Sequence, residues 1–175
     1  MKIQGGKFLS FLLGKEVHGI PIGQAKEIIG MMEMTYIPKV QGYIKGVINL
    51  RGKIIPVIDA RLRFGMQAKP YTERTCIIVA EVDDGERNRL VGIVVDAVAE
   101  VLNIQAGEIE PPHHEARAGG EFIAGFGKIK DKVILILDLG KVLPTEEISY
   151  AKAGRGTQAI GSDDVDPLEK APERS

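Results

Sequence analysis

The sequence predicts an all-β chain with a few short helices, folded as two similar small β-barrels that share a core. Three observations predict it. Apolar runs rich in Val and Ile recur between turn residues, the pattern of strands buried on both faces in compact barrels. Helical periodicity is confined to short stretches. The chain also matches itself. Tyr43-Ile44-Lys45-Gly46 followed by Lys53–Asp59 reappears as Phe122-Ile123-Ala124-Gly125 followed by Lys132–Asp138, shifted by 79 residues without a gap.

Each element follows from local chemistry. Lys7–Leu13 is an apolar run that stops at Gly14. Glu16–Ile22 resumes after Gly14-Lys15, which predicts a hairpin. Gly23–Ile29 reads two ways: a helix with Ala25, Ile28 and Ile29 on one side, or a bent strand. Gly46–Leu50 and Ile54–Ile58 flank Arg51-Gly52-Lys53, a second hairpin. Pro56 has no ladder donor, so it belongs on an edge or beside a bulge. Asp59 is the N-cap of a single helical turn that stops at Gly65. Cys76–Val82 and Leu90–Val95 flank the polar turn of residues 83–88, and Lys132–Leu137 closes the series. Thr145-Glu146-Glu147-Ile148 carries the cap residue and acids of a helix start. From Ala151 onward Gly, Ala, Asp, Pro and charge predominate. Such a stretch buries too little apolar area to offset its ordering entropy, so a mobile acidic tail is expected over residues 151–175.

A second self-match pairs Gly19-Ile20-Pro21-Ile22 and Glu27-Ile28-Ile29 with Gly92-Ile93-Val94-Val95 and Glu100-Val101-Leu102, shifted by 73. Two copies are too few for a solenoid. Each copy alone is marginal in size, so the halves must share an interface. A groove between two barrels would be lined by Ala25, Ile28 and Ile29 from one half and Val98, Val101 and Leu102 from the other. Such side chains suit a partner helix, and they equally suit a shared core. A cation and an acid also recur: Arg51 with Lys130, Glu27 with Glu100. Their placement predicts a Glu27–Arg51 ion pair at the groove and a weaker Glu100–Lys130 analogue.

Composition narrows the function classes. The 175 residues are 44% hydrophobic and 27% charged, enough for one ordinary domain. Basic and acidic residues balance at 23 against 24, and there is no Trp, so nucleic acid is not an expected partner. No apolar run approaches the ~18 residues of a membrane span, and no signal peptide opens the chain; a cytoplasmic location is expected. The single Cys76 fits a reducing compartment and a core position. His18 reads as a structural strand residue. His113-His114-Glu115 follows Pro111-Pro112 in a loop and lacks further ligands, so no metal is expected. Gly154–Ala159 resembles a dinucleotide loop but no strand precedes it. Asp163, Asp164 and Asp166 read as a solvated acidic run. No catalytic constellation emerges, so no enzyme activity and no cofactor are expected.

Lys26-Glu27-Ile28-Ile29-Gly30, Ile37-Pro38, Tyr43–Gly52 with its Asn-Leu-Arg-Gly block, and Ile55-Pro56-Val57-Ile58-Asp59 resemble the CheW coupling-protein family of bacterial chemotaxis. Val91–Asp96, Val98, Val101-Leu102 and Phe122–Asp138 continue the resemblance, which spans about Phe8 to Leu143. It implies two intertwined five-stranded SH3-like β-barrels within residues 1–150, the first mostly residues 16–70 and the second mostly 75–143. It implies a non-catalytic adaptor between transmembrane chemoreceptors and the histidine kinase CheA, with no membrane insertion of its own. The receptor's helical tip would meet Ala25, Glu27, Gly46, Arg51, Gly92, Val98 and Val101. The kinase's regulatory domain would meet Ile37 and Lys45. Two departures stand out: Ala25 where relatives often carry valine, and no aromatic in the loop Glu110–Glu115, which bears on ring assembly with the kinase. A binding module of another two-component pathway, or a nucleic-acid barrel, is the rival reading.

Overall fold

The structure, a computed structural model, describes residues 3–38, 40–83, 85–112 and 120–142. Among the described residues eleven strands and two short α-helices follow one another: β1 Gly6–Leu13, β2 Glu16–Pro21, β3 Ala25–Gly30, β4 Ile44–Leu50, β5 Lys53–Asp59, α1 Ala60–Arg63, β6 Cys76–Asp83, β7 Asn88–Val95, β8 Ala97–Ile104, β9 Ile109–Glu110, β10 Ile123–Ile129, β11 Lys132–Leu137 and α2 Leu139–Val142. The expected hairpins are all present. Residues 22–29 resolve into a single 3-10 turn, Ile22–Gln24, and then a strand, so the bent-strand alternative holds. The short helix start expected at Thr145–Ile148, the tail from Ala151, and His113, His114 and Glu115 lie outside the described residues.

Two sheets form, in the orders β3-β6-β7-β5-β4 and β8-β1-β2-β11-β10-β9. Each inserts the opening hairpin of one half between strands of the other half. Consequently the expected segments 16–70 and 75–143 do not coincide with either sheet: β2 lies in the six-stranded sheet, while β3 to β5 lie in the five-stranded one. The exchange makes the halves inseparable, and it explains why each copy needs no full core of its own. No ladder among the described residues joins the outer strands of either sheet, so the expected barrels are curled sheets that stay open at one seam. One sheet also gains a sixth strand, the two-residue β9.

Each sheet wraps a small core of its own and shares its other face. Ile55, Val57, Ile77, Val79 and Val94 fill the five-stranded sheet. Phe8, Ile104, Ile134 and Ile136 fill the six-stranded one. Between them lies the largest cluster, with Leu9, Phe11 and Ile20 from one sheet against Ile78, Ile93 and Val95 from the other. Runs that are apolar at every position are thus explained, because both faces are covered.

The repeat is visible in detail. Arg51 (φ 52°) and Lys130 (φ 55°) both open two-residue hairpin turns in the left-handed region. The Asp59 amide donates to the Tyr43 carbonyl at 2.8 Å, and the Asp138 amide donates to the Phe122 carbonyl at 2.8 Å. Each half carries one bulge opposite its closing strand, at Lys45 and at Ala124. Pro56 sits on an interior strand rather than an edge. The parallel β5–β7 ladder begins only at Val57, and the Lys45 bulge is one pair away, so the missing donor is tolerated. Between the equivalent aromatics lies the Arg63 guanidinium, 4.4 Å from the ring centroids of both Tyr43 and Phe122. It also donates to the carbonyls of Val142 and Lys141, fastening α1 to the end of α2.

Candidate functional site

The sequence-predicted apolar groove residues lie on β3 and β8, which are outer strands of different sheets. Register decides which way each side chain faces. Ala25 and Ile28 stand opposite Ala80 and Ile78, whose side chains belong to the shared core. Val98 and Val101 stand opposite Phe11 and Leu9, of that same core. Ala25 and Val98 pack on the core's margin. Ile28 and Val101, equivalent in the repeat, remain 47% and 50% exposed. Ile29 and Leu102 do not line this face: both turn into the separate small cores of their sheets. Because the side-chain period of a strand is two, helical spacing misassigned them. A bulge at Lys26 and another at Ala99-Glu100 shift the alternation on both strands. Ser10 fills the second bulge. Its buried hydroxyl donates to the Glu100 carbonyl at 2.6 Å and accepts from the Glu100 amide at 3.1 Å.

Gly46 and Gly92 have steric reasons to be glycine. A Cβ on Gly46 (φ 144°) would lie 2.3 Å from the Thr35 carbonyl oxygen, in backbone space that L side chains rarely adopt. A Cβ on Gly92 would lie 3.0 Å from the Ile77 Cγ2 in the middle of its sheet. Both are therefore backbone positions rather than contact side chains. Lys45 is exposed, the extra residue of its bulge, and stands on the outer strand β4. The isolated antiparallel bridge Thr35–Val47 holds the preceding loop against that strand, and half-buried Ile37 follows two residues later in the loop.

The expected Glu27–Arg51 ion pair is present, with both guanidinium NH groups donating to the two carboxylate oxygens. Glu27 is on β3 and Arg51 follows β4, the two outer strands of one sheet, so the pair spans the open seam. The hydrogen bond from Arg51 and its charge hold the Glu27 carboxyl below its ordinary range, while Glu27 raises the Arg51 guanidinium above its own. No such pair joins Glu100 and Lys130. Instead Lys128 reaches Glu110 of β9 at 2.6 Å. Beside the Glu27–Arg51 pair a cleft of about 430 Å³ opens, floored by Leu50, Ile55, Val79 and Leu90. Lys26 and Glu81 close another ion pair on its rim at 3.0 Å.

Sequence reasoning missed a second cluster. Arg61 grips Asp96 through Nε (2.8 Å) and Nη2 (2.7 Å), and the Gly14 amide donates to the same carboxylate at 2.7 Å. Asp96 is the single residue between β7 and β8, where the chain crosses between sheets. The Arg61 hydrogen bonds hold its carboxyl below the ordinary range, with the Gly14 amide assisting. Nearby, the Tyr71 hydroxyl donates to Asp59 at 3.0 Å; burial, then the Asp59 charge, pushes its pKa up to about 12. Burial also raises the Cys76 thiol, which removes nucleophilic character. His18 is buried between the Phe11 and Phe64 rings with Glu16 at 3.1 Å from its Nε2. Among the described residues no cluster of His, Cys, Asp or Glu is arranged to hold a metal, and no helix is long and apolar enough to cross a membrane.

Against known proteins, the CheW-like domain family matches residues 7–147. The chain belongs to that family. Chemotaxis protein CheW of Klebsiella aerogenes is 39% identical over 146 residues, which is 83% of this chain and 86% of the relative. Chemotaxis protein CheW of Rhizobium meliloti is 35% identical, over 82% and 90%. The crystal structure of the scaffolding protein TtCheW from Thermoanaerobacter tengcongensis superposes with a TM-score of 0.74 at 35% identity, covering 82% of this chain and 96% of that one. This CheW-like chain is therefore one of the chemotaxis scaffold family, with the β-rich two-sheet fold expected of it.

Proposed function

We propose that this protein is a non-catalytic adaptor that couples the cytoplasmic tip of transmembrane chemoreceptors to the regulatory domain of a CheA-type histidine kinase. It works in the cytoplasm, recruited to receptor arrays at the inner membrane, and needs no cofactor. Coupling here is binding linkage: one chain holds two partners, and receptor state reaches the kinase only through differential contacts.

One observation carries the reading. Two repeat-equivalent apolar side chains, Ile28 and Val101, stand half-exposed on outer strands that border one shared core. An apolar stripe with core residues beneath it offers anchor contacts for the apolar face of a partner helix. Ala25 and Val98 supply the floor, Gly92 and Gly46 keep the strand geometry, and the Glu27–Arg51 pair borders the stripe's first strand. The kinase side falls to Lys45, on the far outer strand of the same sheet, and to Ile37 in the loop that precedes it. Bulges such as that at Lys45 re-aim a side chain away from the ladder, which suits a contact residue.

Val101→Glu tests the receptor side by co-sedimentation with receptor-bearing membranes. The charge is expected to reduce binding roughly tenfold while the melting temperature stays within a few degrees. Unchanged sedimentation would remove this stripe from the receptor site. Lys45→Glu tests the kinase side: a pull-down with the kinase regulatory domain is expected to weaken while sedimentation persists.

A further inference from the structure

We propose that the acidic segment Asp163–Glu169 of this chain docks in the cleft at the open seam of the five-stranded sheet. The cleft pairs an apolar floor, from Leu50, Ile55, Val79 and Leu90, with a charged rim. Both rim carboxylates are already engaged, Glu27 by Arg51 and Glu81 by Lys26. Lys53, exposed on the same rim, has no ion-pair partner among the described residues. The rim therefore carries one uncompensated positive charge above apolar surface. It fits an occupant that sets carboxylates beside small apolar side chains.

The chain contains such an occupant. Asp163-Asp164-Val165-Asp166-Pro167-Leu168-Glu169 places four acids around Val165 and Leu168, with no base. Charge is sorted along the sequence in the same sense: residues 144–175 carry four Lys/Arg against seven Asp/Glu, and the remainder 19 against 17. Reach is ample. The 21 residues from Val142 to Asp163 span up to about 70 Å when extended, whereas a domain of this size has a radius of gyration of about 15 Å. A tether of this length gives an effective concentration on the order of millimolar, so even a millimolar intrinsic affinity fills about half the sites. Occupancy covers Arg51 and Glu27. The regulatory consequence, competition with the receptor tip, rests on the receptor reading above; the docking does not.

Methyl NMR on the full chain tests the docking without a receptor. In D163N/D164N/D166N, and separately in Lys53→Glu, the Ile55, Val79 and Leu90 methyl signals are expected to move together, toward the positions wild type reaches at ~1 M salt, where the Debye length shrinks to about 3 Å. Coincident spectra for the triple variant and wild type would overturn the docking. So would shifts confined to another surface, such as β8, which would place the segment elsewhere. Co-sedimentation then tests the consequence: the triple variant is expected to bind receptor membranes about twofold more tightly. Methyl shifts in the cleft with unchanged sedimentation sustain the docking and overturn the competition alone.

Discussion

The two halves share a plan, yet their equivalent hairpins are used differently. In the β4–β5 hairpin, Gly46 is forced by the Thr35 carbonyl and Arg51 reaches Glu27 across an open seam. In the β10–β11 hairpin, Gly125 meets the Glu110 carbonyl less tightly, and the seam cation pairs within its own side of the sheet, Lys128 with Glu110. The backbone repeat is conserved in register, bulge and turn; the side-chain chemistry is not. A duplicated scaffold thus leaves one half to specialise. The sheet that holds the cross-seam ion pair also holds the cleft and the Lys45 bulge.

The sharpest way to break the comparison is at the glycines. Gly46→Ala would place its Cβ 2.3 Å from a backbone oxygen at φ 144°. We expect a loss of about 3–5 kcal/mol, a large share of a domain's total stability. Gly125→Ala meets the equivalent oxygen at 3.0 Å without the unusual φ, and should cost only about 1 kcal/mol. Thermal unfolding of the two variants side by side decides it. Equal losses would mean that the halves are equally tight and that the asymmetry has no energetic content.

A mid-sized effect belongs to the crossover between sheets. Asp96→Ala strips Arg61 and the Gly14 amide of a mostly buried carboxylate, and should cost about 2–3 kcal/mol. The pH dependence has a fixed sign. The folded-state pKa of Asp96 is depressed, so its contribution is complete above the unfolded carboxylate's value of about 4. It is lost as pH falls through the depressed folded value. The melting-temperature gap between wild type and Asp96→Asn should therefore be constant from neutral pH down to about 5 and close below 4. A gap that widens on acidification would contradict the assignment.

Legibility followed the range of the interactions. Strand runs, the hairpin at Arg51-Gly52-Lys53 and the Glu27–Arg51 pair could be read because each rests on local pattern or on the repeat. The direction of Ile29 and Leu102 could not, because bulges at Lys26 and Ala99-Glu100 move the alternation and no local residue announces them. The Arg61–Asp96 contact joins residues 35 positions apart across the sheet crossover; only the topology brings them together. Arg63 between Tyr43 and Phe122 is a similar case: the two aromatics are visible as repeat partners, but nothing local announces the guanidinium between them. The failed Glu100–Lys130 analogue shows the opposite risk. Backbone equivalence was real, but Lys130 makes no pair with Glu100, and the cation that meets an acid in that hairpin is Lys128, at Glu110 of β9.

The smallest effect on stability is also the most informative about function. Arg51 and Lys130 occupy the same φ at the same point of their turns, so alanine costs the backbone alike at both. Arg51 is well exposed, and an exposed ion pair adds little to folding; Arg51→Ala and Lys130→Ala should melt within a degree or two of each other. Receptor co-sedimentation should separate them. Arg51→Ala frees Glu27 at the border of the β3 stripe and is expected to weaken binding roughly tenfold, whereas Lys130→Ala leaves it unchanged. Equal weakening by both would mean that the partner reads the symmetric backbone of the pair of hairpins, and the specialisation of the first half would have to lie somewhere other than its seam.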